Sequence, residues 1–378
     1  MSESLRGLYR NSIDLNRYSN GIARRLVRAY NDAVLDAVDQ LRGIDELAAP
    51  TKAARLRATL AQLNESLLSW SGASIAELTE ELQGLAVLQS EFSAEQLRKA
   101  LPAGSAATVG TVEISPALGQ AIVTTQPTMT GVVSLSDSFE QIAARPVTFQ
   151  LTLGQEVTLP NGEVVRDAFE KMSRRQSELF SMSVRNGLIE GQSIEKIVTR
   201  LKGRLDRDQR GTVDTIIAAG GQATSVPNNQ IRAIVRTSVN QVAVAADRIV
   251  AAQNPEATGK YRYTATLDTK TSAICRALDG KIFTHGKGPY PPQHFNCRSR
   301  YVNIPRGLEK EFKDVREDYG EWLNSQSDAV KDDALGPGRL AMWDGLVKKY
   351  GASDAIRKFV ASDGSELTLE QLKRRYLS

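Results

Sequence analysis

The sequence predicts a predominantly α-helical α+β protein, and three observations carry that expectation. Apolar residues recur at intervals of three and four through 22–41 and 231–249, the spacing that gathers them on one side of a helix. A short stretch, 256–306, breaks that period with strand-like alternation and turn residues. The chain's only two cysteines and only two histidines all fall inside that stretch.

The N-terminal region, 1–101, reads as helical. In "IARRLVRAYNDAVLDAVDQL" the residues Ile22, Leu26, Val27, Tyr30, Val34, Val38 and Leu41 form one stripe. Three further helices are expected, from Lys52 to Trp70, Ile75 to Gln89 and Ala94 to Leu101. The pairs Ser74 with Glu77 and Ser93 with Gln96 have the spacing of capping boxes, in which each side chain satisfies the other residue's free backbone N–H. Residues 102–160 change character. Small residues, Thr, Gly and Pro dominate to 135, and charge nearly vanishes. This predicts an extended low-charge arm or short irregular strands lying against something, a second chain included. A hairpin is expected in "VTFQLTLGQEVTLPNGEVV", where Asn161-Gly162 supplies the positive φ of a tight turn.

Helical period returns over 161–255. "RDAFEKMSRRQSELFSMSVRNGLIEG" and "SIEKIVTRLKG" precede a break, "AAGGQATSVPNN", and then the stripe Ile231, Ile234, Val235, Val239, Val242, Ala246 and Ile249. Within 256–306, "KYRYTATL" reads as a strand, "DTKTSAICRALDG" as a turn and a helical turn, and "KIFTH" as a short strand. "GKGPYPP" reads as a rigid loop and "CRSRYVNIP" as a closing strand. The tail, 307–378, is helical over Leu308 to Trp322, Arg339 to Tyr350 and Ala352 to Val360. A last helix is capped by Thr368 with Gln371.

Bulk composition bounds the function. The 378 residues fit two or three domains, and 41% apolar with 24% charged residues describe a globular chain. A net charge of +4 is too mild to argue for nucleic-acid binding by itself. Two cysteines do not build a disulfide scaffold, so a reducing compartment is expected. The first twenty residues lack the apolar core of a secretory signal, and no apolar run reaches membrane-spanning length. No Gly-rich phosphate loop, dinucleotide fingerprint or H-E-x-x-H occurs.

Three readings stand for the cysteine and histidine stretch. The first is a zinc site of Cys275, His294 and Cys297, with Asp268, Asp279 or His285 as a fourth ligand. The second is a Cys275–Cys297 link or packed thiol pair pinning the helical turn to the closing strand. The third is a cysteine nucleophile with His294 as base, which lacks an orienting partner. Asp279 and Gly280 read as a turn, the carboxylate taking nearby N–H groups and the glycine a positive φ.

Taken in order, "TATLDTKTSAICRALDGKIF" and "GPYPPQHFNCRS" resemble the core of the Mu F-like phage head morphogenesis proteins, the minor capsid proteins of tailed phages. The pattern falls on Thr266, Asp268, Thr271, Cys275, Leu278, Asp279, Gly280, Lys281, Phe283, Pro291, Pro292, His294, Cys297 and Arg298. Flanking helices extend the resemblance over roughly 165 to 375. Ser272 and Ser299 stand where many members have two more cysteines. The resemblance implies a structural virion protein with no enzymatic activity and no cofactor. Its partners would be portal, major capsid or scaffold proteins, it would need no membrane, and it would be made in the host cytoplasm. An alternative is contact with packaged DNA through "RLKGRLDRDQR" at 200–210. A thiol or zinc enzyme is the more distant one.

Overall fold

The computed structural model describes residues 3–42, 44–101, 109, 113–116, 121–126, 131–133, 148–153, 157, 159–197, 227–313 and 316–377. The basic stretch 200–210 and most of the break before residue 227 lie outside the described residues.

Two long helices, α1 (Glu3–Gln40) and α2 (Ala49–Ala100), form an antiparallel hairpin closed by a 3-10 turn at Ile44–Glu46. Every residue of the expected α1 stripe is buried. The pairing direction follows from contacts along its length: Tyr18 donates to Glu81, the Trp70 indole N–H donates to the Leu26 carbonyl, and Asn11 donates to Gln89. Helices α3 (Val165–Ile189) and α4 (Pro227–Gln253) pack onto this hairpin. Trp70 lies at the centre, 5.0 Å from the Tyr30 ring and 5.7 Å from Phe169. Each such fully buried side chain contributes about 1.5–3 kcal/mol.

Where three helices were expected between Lys52 and Leu101, there is one of 52 residues. The boundary signals at Ser74 and Ser93 failed because tertiary contacts took those side chains. Ser74 is buried in the bundle, and the Ser93 hydroxyl hydrogen-bonds to Asp247 on α4. No proline interrupts the run after Pro50, so nothing obliges the backbone to break.

The stretch expected as an extended arm or short irregular strands contains strands. β1 (Glu113–Pro116), β2 (Ala121–Gln126), β3 (Gly131–Val133) and β4 (Thr148–Leu153) form a sheet of order β1-β4-β2-β3, with β1 parallel to β4. The expected hairpin forms close to its turn, the Val165 N–H donating to the Val157 carbonyl at 3.1 Å, while β4 farther upstream pairs with β2 and β1. The turn itself is present. Leu159 and Glu163 pair across it, and Gly162 has φ of 81°.

The region 256–306 follows the sequence closely. β5 (Thr258–Thr264) is the centre of a three-stranded antiparallel sheet between β6 (Ile282–Thr284) and β7 (Arg300–Pro305). Helix α5 (Ala273–Leu278) links β5 to β6. In the tail, the expected helix Leu308 to Trp322 is split into α6 (Glu309–Lys313) and α7 (Tyr319–Asn324). A capping box at Asp318 and Glu321 starts the second piece. Then come α8 (Asp328–Leu335), α9 (Pro337–Tyr350), α10 (Ala352–Arg357) and α11 (Leu369–Leu372), the last capped by Thr368 and Gln371 as expected. They enclose a separate small core around Trp343. Gly320 permits the closest approach there, since a Cβ on it would lie 2.2 Å from the Ala352 carbonyl oxygen. Among the described residues no helix is long and apolar enough to cross a membrane.

Candidate functional site

The motif residues fold onto one another around α5. Ser272 begins the helix, its Oγ 3.5 Å from the Cys275 N–H, and Asp279 ends it. The following Gly280, at φ of 77°, turns the chain back so that its N–H reaches the Tyr263 carbonyl on β5, while the Lys281 carbonyl accepts from the Tyr263 N–H. Asp279 is buried and accepts from the Ala265 N–H at 2.7 Å and from Arg316 at 2.6 Å. Its partners thus come from the residue that follows β5 and from the tail, beyond the local turn the sequence pointed to. Burial pushes its carboxyl above the ordinary value, against the pull of Arg316. Leu278 packs beside Cys275 and Tyr263, and the Pro291–Pro292 bond is cis.

Asp268 is committed elsewhere than to Cys275 and His294. Both guanidinium nitrogens of Arg298 donate to it, at 2.5 and 2.8 Å, and the Lys270 N–H caps it at 3.0 Å. Burial opposes ionisation, but Arg298 outweighs it and holds the carboxyl below its usual range. Thr271 Oγ1 lies 2.6 Å from the Thr266 carbonyl oxygen, and Thr266 in turn donates to the Arg298 carbonyl at 3.4 Å. His285 also lies apart, its Nδ1 2.8 Å from the Tyr290 hydroxyl within a cluster of Tyr261, Tyr290 and Tyr301.

The remaining three groups converge. Cys275 and Cys297 are free, buried thiols with their sulfurs 3.7 Å apart. His294 Nε2 is 3.3 Å from Cys275 Sγ and 2.7 Å from Ser272 Oγ. Its Nδ1 faces the Phe295 carbonyl at 2.8 Å. A carbonyl only accepts, so Nδ1 carries the hydrogen in the neutral ring and Nε2 turns its lone pair toward the sulfurs. The Tyr263 hydroxyl lies 3.2 Å from Cys275 Sγ. Hydrogen bonding with Cys275 favours the thiolate of Cys297, helped by the Gln293 and Ser299 N–H groups, while Cys275 is pushed up by the same contact and by burial.

One set of residues escaped the sequence reading. Arg300 on β7 forms an ion pair with Asp247 and donates to Asn240 Oδ1 at 3.2 Å. Asn240 donates to the Cys297 and Ser299 carbonyls at 2.9 and 3.1 Å. Gln89 of α2 donates to Asp247 at 2.7 Å. This buried network fastens the sheet to α1, α2 and α4. Asn240 and Asp247 are seven residues apart, two turns along one face of the helix, and that polar pair beside the apolar stripe was the available signal.

The comparisons agree with the motif. The sequence model for "Phage Mu protein F like protein" matches residues 178–302, from the middle of α3 to the third residue of β7. No curated protein and no solved structure matches the chain. Over residues 178–302, about a third of its length, the chain is therefore similar to the Phage Mu protein F like family.

Proposed function

We propose that the chain is a structural minor component of a tailed-phage head, seated at the portal or inner capsid shell, where it acts in prohead assembly and in DNA packaging or ejection. One observation supports this beyond the family: the motif's ionic and amide groups are engaged with one another and with the helices. Asp268 holds Arg298, Asp279 holds Arg316 and Asp247 holds Arg300. Such an arrangement maintains shape. It makes the sheet a rigid base for a helical hairpin whose longer arm spans about 78 Å at the ordinary helical rise. Among the described residues, the hairpin leaves Leu68 and Leu88 exposed on α2.

Site-specific photocrosslinkers at Leu68 and Leu88, in the full chain co-expressed with the portal and shell proteins of its phage, test the reading. Crosslinks to either protein within purified proheads are expected. Proheads that lack the chain, or a chain retained on DNA in a salt-sensitive way without any head-protein crosslink, would overturn it.

A further inference from the structure

We propose that Cys275, His294 and Cys297 bind a divalent metal ion of zinc's class, with Ser272 or a water completing a tetrahedron. This goes beyond the structural role above and stands or falls separately from it.

The argument starts from distances. Metal–sulfur bonds of about 2.3 Å and metal–nitrogen bonds of about 2.0–2.1 Å, set at tetrahedral angles, place two sulfurs about 3.8 Å apart and sulfur and nitrogen about 3.6 Å apart. The thiols are 3.7 Å apart, and Cys275 Sγ lies 3.3 Å from His294 Nε2. All three donor atoms fall within 4.8 Å of one another. The two spacings that involve Cys275 thus match a bound ion to within a few tenths of an ångström, and the Cys297–His294 spacing needs at most about 1.2 Å of closure.

The surroundings are those of ligands. His294 presents the nitrogen that lacks a hydrogen, because its other nitrogen is fixed on the Phe295 carbonyl, the outer-shell contact typical of a metal-bound imidazole. The Gln293 and Ser299 N–H groups hydrogen-bond to Cys297, and the Tyr263 hydroxyl reaches Cys275. Donors aimed at sulfur stabilise thiolates, which are the metal-binding form. A pair of thiols acting only as small hydrophobes has no need of them. A disulfide would require sulfurs about 2.0 Å apart. A cleft lined by Asn16, Ser19, Arg236, Thr266 and Arg298 reaches Cys297 from outside. Binding would release the thiol protons to solvent, leaving two thiolates and a neutral imidazole on the cation.

Cobalt(II) titration of the reduced full-length chain is the test. One equivalent is expected to give the intense visible bands of tetrahedral cobalt and a sulfur-to-cobalt charge-transfer band, with zinc abolishing both. Cys297→Ser and His294→Ala should weaken binding at least about tenfold. Because either variant could fail to fold, Ser272→Cys provides an independent reading: a third thiolate should strengthen the charge-transfer band and tighten binding. Asp268→Asn should leave the spectrum unchanged. Folded wild-type chain that takes up no stoichiometric cobalt, or takes it up with a weak octahedral spectrum, would overturn the proposal.

Discussion

Arg300 and Asp247 show how a single pair of residues joins two parts of this molecule. Both side chains are almost fully enclosed, 11% and 8% exposed. Burial raises the Asp247 carboxyl above its ordinary value even with Arg300, Gln89 and Ser93 beside it, so the ion pair is compensated and desolvated together. Removing one partner leaves the other buried without its counter-charge. Arg300→Met should therefore cost about 3–5 kcal/mol, whereas the double substitution with Asp247→Leu should recover much of that loss. The pH dependence has a definite sign. A carboxyl with a raised folded-state pKa binds protons more readily in the native state than when unfolded, so its presence favours stability at low pH and that advantage fades as pH rises. The Arg300→Met penalty should be largest near neutrality and shrink on acidification as Asp247 becomes neutral. Urea midpoints of the three variants across pH measure this. A loss below about 1 kcal/mol at neutral pH would place the pair among surface bridges of little consequence.

At the scale of the element, α2 separates local signals from tertiary ones. Ser74-Glu77 and Ser93-Gln96 carry the letters of helix starts, yet a cap is worth only about 1 kcal/mol, and the buried face along α2 outweighs it. The stripes of α1 and α4 were legible because periodic burial is recorded directly in residue type. The continuity of α2 was not, because it depends on α4 engaging Ser93 and Gln89. Two substitutions distinguish a continuous helix from separate ones. Gly72 is exposed, and a Cβ there would meet nothing within 4 Å. Gly72→Ala should stabilise a continuous helix by about 0.5–1 kcal/mol. Ala76 is also exposed. Ala76→Pro would be tolerated in the first turn of a new helix, but inside α2 it should cost about 3 kcal/mol. Thermal melts followed by circular dichroism measure both. Unchanged melting of Ala76→Pro would mean that the helix does begin near Ser74.

Across the whole molecule, what the sequence disclosed was local and what it concealed was mutual. The strands and helical turn of 256–306 were legible because alternation, Gly280 and the prolines each act on their own neighbourhood. The commitment of Asp268 to Arg298, thirty residues on, was not, and neither was the partnership of Asp279 with Arg316 in the tail. Carboxylates near cysteines read as ligands until the fold shows which cation each one meets. The same mutual contacts set a hierarchy of stability. Helix α4 is packed by α1, α2 and α3 and is hydrogen-bonded to the chain around Cys297, so its amides can exchange only when the whole bundle opens. The tail has its own core around Trp343 and Leu346. It is joined to the sheet by a few side chains, among them Arg276 donating to the Ala334 carbonyl at 2.8 Å and Tyr319 donating to the Asp268 carbonyl at 2.7 Å. Hydrogen exchange read by mass spectrometry should accordingly find two cooperative units. Residues 234–250 should be the slowest to exchange, and 337–357 should open earlier and together. Tyr319→Phe removes one link without touching the bundle, and it should speed exchange in the tail while leaving 234–250 unchanged. Equal acceleration in both regions would show instead that sheet, tail and helices unfold as a single unit.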